Sequence, residues 1–232
     1  MLLACLDLEG ELVPRALSEF ARDFPEVEVR VRQAGDETLL LFDADPELVD
    51  RARARLLALL GPAVLGEGEA TLALATLRAL REAGLRVAFA ESLTAGLASA
   101  LLADVPGASE VLCGGMVTYS NELKARWLGV PREVLESVGP VSEPAARAMA
   151  EGVLARSGAD LAVSLTGWAG PDAGEDGQPA GTVYFGLARV GAPTLVERRR
   201  FTGGRDEVRR KAALHALDLL RLRALGASFP AA

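Results

Sequence analysis

Residues 88–107 read AFAESLTAGLASALLADVPG, and how this stretch divides decides the fold. A short apolar run closes on Glu91 and Ser92, and a helix-forming stretch begins at once. The spacing predicts a strand over 85–90 and a helix over 94–103. Working outward, the alternation continues in both directions. A helix over 69–83 comes before it. After the DVPGAS turn come a strand over 109–119, short helices at 120–128 and 131–137, a helix over 142–157 and a strand over 159–165. The run ADLAVSL is apolar without alternation, the pattern of a strand covered on both faces. GTVYFGLARV and TLVERRRF predict a hairpin around Gly191, and RDEVRRKAALHALDLLRLRAL a long closing helix. Helices and strands in this order predict α/β, a three-layer α/β/α domain with a mixed sheet.

The first part of the chain has a different rhythm. LLACLDL and TLLLFDA read as strands, EVEVRVR alternates, and VPRALSEFARDF has helical spacing with Pro14 near its first turn. DPELVDRARARLLALL is a second helix with Pro46 at its start. Gly61-Pro62 and GEGEA (66–70) read as a linker. These features predict a small α+β domain over 1–65 and the larger domain over 66–232.

Composition excludes several classes. Half of the 232 residues are hydrophobic and a quarter charged, a soluble balance, and no apolar run is long enough to span a bilayer. The N-terminus lacks a basic region ahead of an apolar one, so it is not read as a signal peptide, and a cytoplasmic protein is expected. Cys5 and Cys113, far apart in sequence, are read as free thiols. Residues 1–70 hold 15 Asp and Glu against 7 Arg. That balance disfavours a nucleic-acid partner there, since a phosphate backbone needs positive charge. His215 is the one histidine and sits in an apolar-periodic segment, which argues against a histidine triad or a His-rich metal site. The chain has 23 Arg but only two Lys, Lys124 and Lys211.

Ser92 and Thr94 fit two roles. Either is a good N-cap. Alternatively, a serine where a strand meets a helix N-terminus lies beside backbone N–H groups able to stabilise an oxyanion or a phosphate. There is no G-x-S-x-G elbow, no G-x-G-x-x-G and no Walker A lysine. A nucleophilic serine here needs a base other than histidine: a carboxylate, a tyrosinate or a neutral lysine. Arginine cannot release its proton at accessible pH, so a lysine kept among so many arginines is worth weighing. Lys211 follows two arginines and reads as solvated. Lys124, five residues past Tyr119, reads either as a surface residue of a short helix or as part of a site at the sheet's end. Thr166 and Gly167 follow a buried strand, where ligands of α/β sheets bind. The loop 172–178 reads as a mobile connection. In ERRRFTGGRDEVRRK (197–211) most arginines read as solvated, and Arg205, opening the last helix, is best placed to grip an anion.

AESLTAGL, GGMVTYSNELKARWLGV, GPVSEPAARAMAEG, ADLAVSLTGWAGP, PAGTVYFGLA and GGRDEVRRKAA resemble, in order and spacing, the CinA C-terminal domain family, which includes nicotinamide mononucleotide deamidases. The resemblance runs from about residue 70 to 224. It implies Ser92 as nucleophile, Lys124 as its general base and Tyr119 orienting the pair, with Glu91 behind them. Thr94, Gly96, Thr166, Gly167 and Arg205 fall at substrate-binding positions. The implied reaction hydrolyses the carboxamide of nicotinamide mononucleotide to nicotinate mononucleotide and ammonia, without metal or cofactor, in a homodimer. A non-catalytic ligand-binding or regulatory module associated with competence is the alternative. Residues 1–61 resemble the small KH-like middle domain that precedes this module in longer CinA proteins. The large N-terminal domain of those proteins is outside these 232 residues, so ADP-ribose hydrolysis is not expected. Two departures stand out. Ala95 occupies a usual glycine position, costing about 1 kcal/mol if φ is positive there, and Trp168 stands where isoleucine is common.

Overall fold

The computed structural model describes residues 1–227. The chain divides into two compact units, Met1–Ala75 and a second beginning at Thr76.

In the first unit, β1 (Leu2–Leu6), α1 (Leu12–Asp23), β2 (Val29–Ala34), β3 (Glu37–Phe42), α2 (Pro46–Leu60) and β4 (Val64–Glu67) follow in order. The strands form an antiparallel sheet ordered β2-β3-β1-β4. Helical spacing puts Val13, Ala16 and Phe20 on one stripe of α1, and Ala52, Leu56 and Leu60 on one stripe of α2. Both stripes close over Leu3 and Leu40 of the sheet in one core. The expected linker is partly a strand, because β4 pairs with β1 and Leu3 lies opposite Glu67. Four residues that include a glycine carry no readable period; a neighbouring strand makes them a strand.

The helix α3 (Leu72–Glu82) carries the chain into the second unit. There follow β5 (Val87–Glu91), α4 (Leu97–Ala103), β6 (Leu112–Val117), α5 (Asn121–Leu128), α6 (Arg132–Ser137) and α7 (Glu143–Ser157). They are succeeded by β7 (Leu161–Gly167), β8 (Thr182–Arg189), β9 (Ala192–Arg200) and α8 (Arg205–Ala224). The sheet is mixed and ordered β6-β5-β7-β8-β9, with the first three strands parallel and the last two antiparallel. α7 with α5 covers one face, and α4 with α8 the other, giving three layers. β5 is buried along its whole length and β7 through Thr166, as runs without alternation predict.

Two boundaries differ from expectation. The helix read from 94 starts at Leu97, because Ala95 (φ 52°) and Gly96 (φ 95°) are left-handed and cannot belong to it. The strand read over 109–119 shortens to β6, because residues 108–110 form a 3-10 turn.

The chain leaves β5 for β6 on one side, then crosses to β7 on the other. That reversal opens a crevice at the carboxyl ends of the parallel strands. Ser92 follows β5, Thr118 and Tyr119 follow β6, and Thr166 and Gly167 end β7. Among the described residues no helix is long and apolar enough to cross a membrane.

Candidate active site

The crevice is a cleft of about 400 Å³ with Ser92, Lys124, Thr166, Trp168 and Arg205 among its walls. Its floor is the turn that carries Ser92. Ser92 N–H donates to the Leu165 carbonyl of β7 (3.0 Å), and Ala95 N–H returns to the Ser92 carbonyl (3.1 Å). A turn this tight throws the Ser92 side chain off the end of the sheet.

Lys124 is the partner. Its Nζ lies 2.9 Å from Ser92 Oγ, 3.1 Å from the Thr118 carbonyl and 3.4 Å from the Tyr119 carbonyl. The reading of Lys124 as a surface residue is wrong: it is 2% exposed, and with Leu128, one turn on, forms the buried face of α5. That face is fixed by α7, where Gly152 leaves no room for a β-carbon against the Leu128 carbonyl. Ser120 caps α5 by accepting from Leu123 N–H (3.2 Å). Burial without a carboxylate partner lowers the Lys124 pKa from 10.5 to about 8. A neutral amine keeps two N–H groups and one lone pair. The two carbonyls match the N–H groups, and the lone pair is left for the serine hydroxyl.

Glu91 is fully buried but does not face the serine as a base. Its carboxylate accepts from the N–H groups of Gly96 (2.9 Å), Ala98 (3.1 Å) and Ser99 (2.9 Å), and from the Ser99 hydroxyl. The N-terminus of α4, expected to be open to an anion, is thus closed by the protein's own carboxylate. Gly96 accordingly spends its N–H on Glu91. Thr94 is fully buried with an unpartnered hydroxyl and is not among the residues facing the cleft.

Tyr119 meets Lys124 through its carbonyl, not its phenol. The ring is exposed, and its hydroxyl accepts from Arg205 Nη2 (3.0 Å), while Arg205 Nη1 donates to the Gly170 carbonyl (2.9 Å). Arg205 therefore bridges the ends of β6 and β7 at the cleft mouth. Thr166 faces the cleft but donates its hydroxyl to the Pro140 carbonyl (2.7 Å). Gly167 is required because a β-carbon there would meet the Thr182 carbonyl and Val183 of β8.

The loop 172–178 is a hydrogen-bonded turn, not an open connection. Asp176 accepts from Trp168 Nε1 (3.3 Å), Gln178 N–H (3.0 Å) and Gln178 Nε2 (2.7 Å), and Gln178 Nε2 also donates to the Val141 carbonyl (2.9 Å). Asp172 and Glu175 reach the cleft from this turn. His215 lies outside the site, its Nε2 3.0 Å from Glu197 Oε2 and its ring packed on Phe185 and Phe201. Both cysteines are free thiols.

One arginine read as solvated packs against the turn that carries Ser92. Arg209 reaches from α8 to the turn that follows Ser92, Nε donating to the Leu93 carbonyl (3.0 Å) and Nη2 to the Thr94 carbonyl (3.1 Å). The signal was its spacing: four residues after Arg205, it shares that residue's side of the helix.

The family model described as the CinA C-terminal domain matches residues 69–224. A CinA-like protein of Syntrophotalea carbinolica is 42% identical over 202 residues, covering 87% of this chain and 47% of that protein. A CinA-like protein of Geobacter sulfurreducens is 43% identical over 206 residues, covering 88% and 48%. The chain thus spans about half the length of these relatives. A solved CinA superfamily protein from Klebsiella pneumoniae is 37% identical with a TM-score of 0.65, over 67% of this chain and 96% of that one. The competence/damage inducible protein CihA from Agrobacterium tumefaciens is 38% identical with a TM-score of 0.62, over 64% and 91%.

Proposed function

This chain belongs to the CinA C-terminal domain family, and we propose that it is an amide hydrolase acting on the carboxamide of nicotinamide mononucleotide. The observation that carries the reading is the buried Lys124 Nζ, 2.9 Å from Ser92 Oγ and with its pKa lowered to about 8. A lysine in that state accepts a proton near neutral pH, as a general base must. The choice of substrate rests on the motif resemblance.

In this mechanism neutral Lys124 takes the Ser92 proton as Oγ bonds to the carboxamide carbon, and the carbonyl electron pair moves onto oxygen. The tetrahedral intermediate collapses, its C–N bond breaks, and the Lys124 ammonium returns the proton to the departing nitrogen, which leaves as ammonia. Water then attacks the acyl-serine while Lys124 takes its proton. Collapse releases nicotinate mononucleotide, and Ser92 recovers a proton. Arg205, at the cleft mouth, has donors to spare for the phosphate.

The test is ammonia release from nicotinamide mononucleotide by the purified chain and by Ser92→Ala. The substitution should cost about a thousandfold or more in rate while leaving the fold intact. Activity within tenfold of the parent overturns the nucleophile. The names carried by relatives, which speak of competence and damage rather than of a reaction, favour a second reading, a non-catalytic ligand-binding module. Binding of the mononucleotide without ammonia release at pH 9, where Lys124 is neutral, would establish that reading.

A further inference from the structure

We propose that Arg209 is a positioning residue for an oxyanion site at the Leu93 N–H, a proposal that rests on Ser92 being a nucleophile. The peptide unit is planar and trans, so a carbonyl fixed on one side aims the N–H of the same unit the opposite way. Arg209 Nη2 holds the Thr94 carbonyl at 3.1 Å. The N–H of that unit, on Ala95, points away from Arg209 and donates to the Ser92 carbonyl at 3.1 Å. The Ser92 carbonyl, fixed in turn, directs the N–H of its own unit, on Leu93, to the other side. Leu93 lines the cleft beside Ser92, and its N–H has no partner among the described residues. An unpaired backbone donor next to the nucleophile is the element that stabilises a tetrahedral oxyanion.

The clamp is needed because the turn is strained. Ala95 holds φ 52° with a β-carbon, a conformation an alanine leaves when nothing opposes it. Arg209 also holds the Leu93 carbonyl at 3.0 Å, so two successive units are fixed by one planar fork. Glu91 secures the other end of the turn through Gly96 N–H. Lysine has a charge but no fork, so it replaces at most one of the two contacts.

The experiment uses two readouts on the full chain: steady-state hydrolysis of nicotinamide mononucleotide, and the rate at which a fluorophosphonate labels Ser92. Labelling forms an Oγ–P bond, expels fluoride and leaves the serine proton on Lys124, so it needs the same turn whatever the natural substrate. Arg209→Met should lower kcat and the labelling rate about 10- to 100-fold, with KM within about threefold and the Lys124 pH midpoint near 8. Arg209→Lys should fall between the two. In Arg209→Ala, methylguanidinium should restore part of both rates; if Arg209→Met fails to fold, the lysine variant and this rescue decide. Parental kcat and labelling in the variants, or a loss confined to KM, overturns the proposal. A parent that is labelled but releases no ammonia removes the substrate and leaves the role of Arg209 readable by labelling. A parent that is not labelled removes the nucleophile, and this proposal with it.

Discussion

Raising the pH from 7 to 9 should increase kcat/KM for nicotinamide mononucleotide roughly tenfold, along a single ionisation centred near 8. The perturbation acts on one group. Lys124 has a pKa lowered by burial to about 8, so about a tenth of the free enzyme carries a neutral amine at pH 7 and about nine tenths at pH 9. The substrate phosphate has its second ionisation near 6 and is already dianionic across this range. A coupled assay of ammonia release at fixed ionic strength gives the profile. The same shift has a thermodynamic signature. A lysine that titrates near 8 when folded and 10.5 when unfolded binds fewer protons in the native state between those values. Native stability therefore rises with pH through that window, by up to about 3 kcal/mol. Lys124→Met lacks this titration, so the stability difference between parent and variant in urea should move in the parent's favour as pH climbs from 8 towards 10. A flat kcat/KM profile between 7 and 9, together with a pH-independent stability difference, would refute a desolvated lysine as the base.

Glu91→Gln should destabilise the second unit by about 2–3 kcal/mol, read as a lower urea midpoint, because an amide nitrogen replaces an oxygen that accepts buried N–H bonds. An unchanged midpoint would mean these bonds matter little. Ala95→Gly relieves a positive φ and should leave stability equal or up to about 1 kcal/mol higher; a clear loss contradicts the strain. Arg205→Ala should weaken binding of nicotinamide mononucleotide roughly 10- to 100-fold while leaving nicotinamide riboside nearly unaffected, measured by calorimetry. Equal losses for both ligands would show that Arg205 does not meet the phosphate.

The layer architecture was legible in the sequence alone, and so was the strand-to-helix junction that carries Ser92. Apolar runs without alternation at β5 and β7 state that these strands are covered on both faces, and helices before, between and after them leave a sandwich as the way to bury both. Periodicity and composition are local properties, so a single chain displays them. Ser92 was legible for the same reason, since it sits at the junction of two local patterns. Which partner each neighbouring polar group meets was not legible there. Lys124 reads equally well as solvated until α7 presses on Leu128 and turns that face of α5 inward. Glu91 could serve as a base until the turn brings three N–H groups onto its oxygens. Tyr119 finds its hydroxyl partner 86 residues away and Arg209 its carbonyls 116 and 115 residues away. Charge and hydrogen-bonding capacity are written in a residue's name, but direction is not. A side chain's partner depends on which elements pack against it, and that is settled by the whole sheet and both helical layers at once.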